Sequence, residues 1–345
     1  MNSVLEKIKH IDNKLKIFLI LPILLIISFF STLYLIKSYN SKVGIGEKIY
    51  EINIEEGDSS LKVTKDLKNN GMIRSVRFFQ YMLKFYSNTS KIKHGIYELN
   101  DSMTSFEIME ILVSGKVKMT AFTIPEGYHN RQIAELLLNR NLISSKEEFF
   151  KITTDPDLLQ KYKIPAKSVE GYLFPETYTI PIDYKPEKIV EMMLKRFYKN
   201  LASIEESKDI SPEDLHRKVI MASIVEREAK KKEEQPLMVG VFEKRLKINM
   251  PFESCATVQY LFEKPKKRLL EKDLLIESDY NTYLHRGYPP GPISNPGLPA
   301  LIASFRPEET ESLFFLVKPD GSHYFSKNHR EHLEAKKKYI DVLYQ

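Results

Sequence analysis

Ile52-Asn53-Ile54-Glu55-Glu56-Gly57-Asp58-Ser59-Ser60 opens a stretch, INIEEGDSSLKVTKDLKNNGMIRSVRFF, that returns seventy residues later as FTIPEGYHNRQIAELLLNRNLISSKEEFF from Phe122. The two align without gaps. Ile54 falls on Ile124, Glu56 on Glu126, Gly57 on Gly127, Leu67 on Leu137, Asn69 on Asn139, Ile73 on Ile143, Ser75 on Ser145 and Phe79 on Phe149. Each copy reads as a short strand, a Glu-Gly turn, an amphipathic helix, a break, and a second helix opened by Ser75 or Ser145 as N-cap. Between them, His94 to Leu99 reads as a strand, Ser105 to Val113 as a helix, and Lys116 to Ile124 as the strand entering the second copy. The same local arrangement is expected twice, in an α+β chain.

From Ser168 onward the periodicity is mainly helical. Helices are expected at Pro186 to Leu201, Pro212 to Lys230, Pro236 to Ile248 and Arg330 to Leu343; in the first three a proline early in the helix marks the start. Phe314 to Val317 and His323 to Ser326 flank Pro319-Asp320-Gly321 as a hairpin. Tyr288 to Pro299, dense in Pro and Gly, is expected to be an ordered loop.

Ile17 to Ile36, IFLILPILLIISFFSTLYLI, contains no charge and is about the length an α-helix needs to cross a bilayer. Lys7, Lys9, Lys14 and Lys16 precede it, which by the positive-inside rule keeps residues 1–16 in the cytoplasm. Tyr34-Leu35-Ile36-Lys37 offers no small-residue cleavage site, so a retained single-span anchor is expected rather than a signal peptide. Everything from Lys37 onward then lies outside the cytoplasm.

Net charge is +6, of which +2 sits in the segment up to Ile36 (four lysines against Glu6 and Asp12) and +4 on the rest. Scattered lysines argue against nucleic acid and are compatible with an anionic polymer. Cys255 is the single cysteine, which excludes an internal disulfide and Cys-ligated metal clusters. His329 and His332 lack a third ligand, no His-Glu-x-x-His occurs, and no Gly-rich phosphate loop or Gly-x-Ser-x-Gly elbow is present. No metal and no cofactor is expected.

The candidate chemistry lies in Ser168-Val169-Glu170-Gly171-Tyr172-Leu173-Phe174-Pro175-Glu176-Thr177-Tyr178. An acid among apolar groups is held protonated by burial and can serve as a general acid on a glycosidic bond, with aromatic faces suited to sugar rings. By composition alone, a Glu beside aromatics is more often an ordinary side chain. Glu176, six residues on, leaves open a two-carboxylate hydrolase.

EGYLFPETY resembles the signature of the endolytic murein transglycosylases, the MltG/YceG-like family, whose pattern is Glu-Gly-aromatic-x-aromatic-Pro-acid-Thr-aromatic. ASIVEREA at Ala222, VGVFEKRLKINMPFES at Val239, ATVQY at Ala256, YNTYLHRGYPPGPISNPG at Tyr280 and FLVKPDGSHYFSKNHREH at Phe315 resemble further family blocks in the same order. The resemblance runs from about Glu47 to the C-terminus. It implies a LysM-like module at 37–120 after the transmembrane helix at 17–36, and a helix-rich α+β catalytic domain at 121–345, of which 121–150 repeats 52–79.

It also implies the activity and the site. Glu170 occupies the position of the family's essential glutamate. Tyr172, Phe174, Glu176 and Tyr178 are expected to touch substrate or, with Leu173, to exclude water, and Tyr172 and Phe174 stand where the family often has Trp. Glu226 is expected to steady Glu170 or a loop, whereas Glu228 reads as a salt-bridged helix surface. Gln259, with Tyr260, is expected in the cleft; Asn281, Tyr283 and Asn295 belong to the loop pattern. Where the family commonly has Asp-Pro, this chain has Cys255-Ala256, which argues against an acid there. The implied partners are peptidoglycan strands, membrane lipid through 17–36 and the cell-wall synthases. A non-catalytic glycan-binding scaffold and a water-using muramidase are the competing functions.

Overall fold

The chain is described by a computed structural model covering residues 13–86 and 92–340. The described chain begins with helix α1, Asn13–Tyr39, whose stretch from Ile20 to Tyr39 is predominantly apolar, with Lys37 its one charged residue, and is not buried. It is long and apolar enough to cross a bilayer, and extends a turn either side of the expected span. Residues 1–12 of the expected cytoplasmic tail, and the end of the expected last helix beyond residue 340, lie outside the described residues.

Two compact units follow from the contacts, residues 1–120 with 181–183, and residues 121–180 with 184–345. In the first, β1 (Ile49–Ile54), α2 (Ser60–Asn69), α3 (Val76–Tyr86), β2 (Gly95–Asn100) and α4 (Ser105–Ser114) follow in chain order. β1 and β2 pair antiparallel, Ile49 opposite Asn100 through Ile54 opposite Gly95. Ile54, Val63, Leu67, Met72, Ile73 and Phe79 pack with Tyr97, Leu99, Ile108 and Leu112 as its core.

The second unit opens with the other copy of the repeat. β3 (Met119–Thr123), α5 (Asn130–Asn139) and α6 (Lys146–Thr153) match their counterparts, and Ile124, Ile133, Leu137, Leu142, Ile143 and Phe149 are buried at the equivalent positions. The break between the helices is the same device in both. Gly71 (φ 70°) and Asn141 (φ 55°) take the left-handed position, and the next N–H, of Met72 or Leu142, donates to Leu67 or Leu137 C=O at 2.9 Å. This double closure satisfies helix carbonyls that would otherwise be unpaired.

After α7 (Pro156–Lys161), the copy closes on β4 (Thr177–Pro181), which pairs with β3. That strand was not anticipated. EGYLFPETY therefore fills the connection between the helices and the closing strand of the second copy.

The rest is helical, with α8 (Pro186–Leu201), α9 (Pro212–Glu228), α10 (Gln235–Lys247), the short α11 (Cys255–Gln259), α12 (Leu298–Phe305), hairpin β5–β6 (Phe314–Val317, His323–Ser326) and α13 (His329–Tyr339). The hairpin expected from the sequence is present, and it registers Phe314 with Ser326 and Val317 with His323. Helix α12 was not expected. The Pro/Gly-rich loop before it is ordered, with Gly291 to Gly297 all buried.

Candidate active site

Glu170 sits on a tight turn. Tyr172 N–H donates to Val169 C=O at 3.0 Å, and Gly171 has φ +88°, the positive value a type II turn requires at its third residue. The turn is wedged between α9 and the Pro-rich loop. A Cβ on Gly171 would lie 2.6 Å from the Pro292 ring and 2.7 Å from Val219 Cγ1. The acid therefore projects from backbone that only glycine fits.

Glu170 is 6% exposed, and its carboxyl has three donors around it. Asn130 N–H reaches Oε1 at 3.0 Å and Oε2 at 3.1 Å, Asn295 Nδ2 reaches Oε1 at 3.2 Å, and Tyr260 Oη reaches Oε2 at 3.3 Å. Asn130 is the first residue of α5, so its N–H has no helical partner and stands at the positive helix end. Asn295 cannot turn over: its Oδ1 accepts from Leu173 N–H at 2.8 Å, and Nδ2 also donates to Tyr128 C=O at 2.9 Å. These donors and nearby Arg131 favour the carboxylate, yet burial outweighs them and pushes Glu170 up to about 8. Asn130 N–H is shared between the two oxygens and Asn295 Nδ2 can only donate, so in the protonated acid the hydroxyl at Oε2 has the Tyr260 oxygen as its acceptor once that hydroxyl turns.

Tyr260 is itself fixed. The Arg131 guanidinium lies 4.6 Å from its ring centroid and also donates to its backbone carbonyl, His129 meets its edge, and Tyr280 packs at 5.1 Å. His129 accepts from Gln132 N–H through Nδ1, and burial lowers it to about 4, so it is neutral. Glu170 opens onto a cavity of about 600 Å³ lined by Lys167, Ser168, Ser278, Asp279, Tyr280 and Pro290 to Pro292. That size suits a small-molecule or oligomer subsite.

The other expected residues are placed elsewhere. Tyr172 is 1% exposed, with its hydroxyl 2.9 Å from His216 Nδ1 and its ring stacked on that imidazole. Leu173, Phe174 and Tyr178 are also core, with Tyr178 stacked on Phe122 and bonded to Phe174 C=O. None of the four lines the Glu170 cavity, so sugar stacking and water exclusion do not fall to them; Tyr280 is the aromatic that lines it. Glu176 pairs with Arg196 and borders a different, shallow cavity with Thr177 and Lys195.

Glu226 holds a loop rather than Glu170. It accepts from Gly297 N–H at 3.1 Å, at the start of α12, and burial with Glu126 nearby raises it to about 7. Glu228 is not a salt-bridged surface residue: it accepts from Ser254 Oγ and from Ala256 N–H at 3.1 Å, anchoring α11. Gln259 brackets Lys266 through its backbone N–H and C=O, and Asn281 bonds Leu274 and Ile276 carbonyls; both shape loops. Tyr283 meets Cys255 Sγ at 3.1 Å beside a separate cavity. Sequence reasoning missed Asn130, Arg131 and Tyr280. For the first two a signal existed, since His129-Asn130-Arg131 replaces Ser59-Ser60-Leu61 in an otherwise matching repeat.

Comparison with known proteins places the chain in a family. The model of the YceG-like family matches residues 52–338. An endolytic murein transglycosylase of Bacillus subtilis is 34% identical over 304 residues, 84% of each chain. One from Streptococcus pneumoniae is 29% identical over 83% of this chain and 57% of its own length. The crystal structure of a YceG-like protein from Listeria monocytogenes superposes with a TM-score of 0.57 at 31% identity, covering 84% of this chain and 99% of that one. With the family match running through the repeat, Glu170 and the helical region alike, the chain belongs to the YceG-like family.

Proposed function

We propose that the chain is a membrane-anchored lytic transglycosylase that cuts the MurNAc–GlcNAc bond inside peptidoglycan strands. The observation that carries this reading is one buried carboxyl, held by Asn130, Asn295 and Tyr260 and opening on a cavity, in surroundings that favour its protonated form. The names of the relatives support the same reading. Glu170 donates its proton to the glycosidic oxygen as the C1–O bond breaks. The resulting carboxylate then takes the proton of the C6 hydroxyl of the same muramoyl residue, O6 bonds to C1, and a 1,6-anhydro ring closes. Glu170 ends protonated, and no water is consumed. An intramolecular nucleophile makes a second carboxylate unnecessary.

The water-using muramidase is disfavoured by Glu176, whose ion pair with Arg196 leaves it outside the Glu170 cavity. Digestion of purified strands in oxygen-18 water separates the two. Anhydromuramoyl ends, one water lighter than hydrolytic ends and free of label, are expected from the wild type and from Glu176→Gln. Labelled reducing ends from the wild type would refute the transglycosylase.

Anchored by α1, the catalytic unit would work outside the cytoplasm on nascent strands as synthases extrude them, ending their elongation. The first unit's strand–helix–helix–strand order suits a LysM-like module in contact with glycan. Removing residues 1–36 is expected to give a soluble protein that still cuts isolated strands but not at the membrane, because the anchor supplies local concentration rather than chemistry. Loss of all cutting in solution would place the span, or a membrane partner, in the active site.

A further inference from the structure

We propose that the first unit rests directly on the lipid surface through an aromatic face of α3; this depends on α1 being a membrane anchor. The joint leaves no free linker. Ser105 Oγ donates to Tyr39 C=O at 3.0 Å, Phe106 N–H to Asn40 Oδ1 at 2.8 Å, Arg74 Nη2 to Lys42 C=O at 2.7 Å, and Gly44 N–H to Asp101 C=O at 2.7 Å. The Tyr39 ring, on the last residue of α1, packs 5.8 Å from that of Phe78 on α3. The unit is thus stitched to the point where α1 ends.

Helix α3 is apolar on both sides. Phe79 and Leu83 face the core, while Phe78, Tyr81 and Phe85, at three- and four-residue spacing, share the other side. Phe85 is 83% exposed and Tyr81 62%. Tyr86, three residues on from Leu83, and Phe106 on α4 form a second exposed aromatic pair with rings 5.4 Å apart, and Ile45 in the joint is 81% exposed. Helix α3 carries Arg77 and Lys84 and no acid, a charge suited to anionic headgroups. Single exposed apolar residues are ordinary; three aromatics along one side of a helix, the first packed on the end of a membrane-length helix, are not. Aromatic rings favour the depth of the headgroups.

The chain has no tryptophan, so Phe85→Trp or Leu25→Trp each introduces the only one, and both positions are exposed in the fold. Full-length proteins in phosphatidylglycerol–phosphatidylethanolamine vesicles are read by quenching with lipids brominated near the headgroup or deep in the chain. Phe85→Trp is expected to emit to the blue of water-exposed tryptophan and to lose most emission to the shallow bromines. Leu25→Trp should lose most to the deep ones. Water-like, unquenched emission from Phe85→Trp beside a quenched Leu25→Trp overturns the lipid contact and leaves the anchor standing; such a face would then await a protein. If neither is quenched, the anchor fails and the lipid contact with it.

Discussion

Glu170→Gln is expected to retain the fold and lose strand cleavage by about 10²- to 10⁴-fold, the usual worth of a general acid. The amide is nearly the same shape. Its oxygen still accepts from Asn130 N–H and Asn295 Nδ2, and its NH₂ can donate to the Tyr260 hydroxyl, which turns to accept. What it cannot do is transfer a proton. In the wild type, kcat/KM should fall as pH rises past about 8, where Glu170 ionises in the folded protein. The same shift makes a stability prediction of definite sign. The folded value lies above the ordinary 4.5, so the unfolded chain releases this proton first. Wild-type stability from this group is complete below about 4.5, is lost as pH rises towards about 8, and stays lost above it. The variant should therefore melt like the wild type at acid pH and above it at pH beyond 8. Near-wild-type product yield from a folded variant would remove Glu170 from the chemistry; a variant that melts lower at alkaline pH would contradict the burial.

The repeat was legible because a hydrophobic period is written in side chains. Ile54 and Ile124, Leu67 and Leu137, and Phe79 and Phe149 share positions seventy residues apart and share burial. Strand β4 was not legible, since Thr177 and Tyr178 belong to the motif as well as to the strand, and an alternation of exposed and buried residues over Thr177 to Ile180 is too short to mark a strand. The aromatics of that motif were misplaced for a different reason. A ring near an acid has no mark saying which way it points, and Tyr172 and Tyr178 spend their hydroxyls on His216 and on Phe174 C=O inside the core. Asn130 serves Glu170 through its backbone N–H, a group every residue but proline carries, so only its place at a helix start gives it away. Asn295 was among the expected residues, and its fixed amide ties the Pro-rich loop to the acid.

Gly171→Ala is expected to destabilise the second unit by roughly 2–5 kcal/mol, from about 1–2 for a side chain in left-handed backbone and about 1–3 for overpacking. The second part follows from what the methyl would strike. Pro292 is a closed ring in a buried loop, and Val219 is fully buried on α9, so neither is the loose end of a flexible chain. Relief requires either the loop or the turn to move. Moving the turn carries Glu170 away from Asn295, whose amide is held by Leu173 and Tyr128 and cannot follow. Activity should therefore fall further than the folded fraction does, at a temperature where the variant is still folded. Gly57→Ala supplies the control, because Gly57 has φ +96° with nothing within 4 Å of the added carbon, leaving only the backbone cost. Thermal unfolding should place the second unit of Gly171→Ala on the order of ten degrees below its wild-type value, at a few degrees per kcal/mol, and the first unit of Gly57→Ala below its own by a smaller step. If the two steps are alike, and Gly171→Ala still cuts strands at the wild-type rate, then the wedge of Pro292 and Val219 does not set the position of the acid.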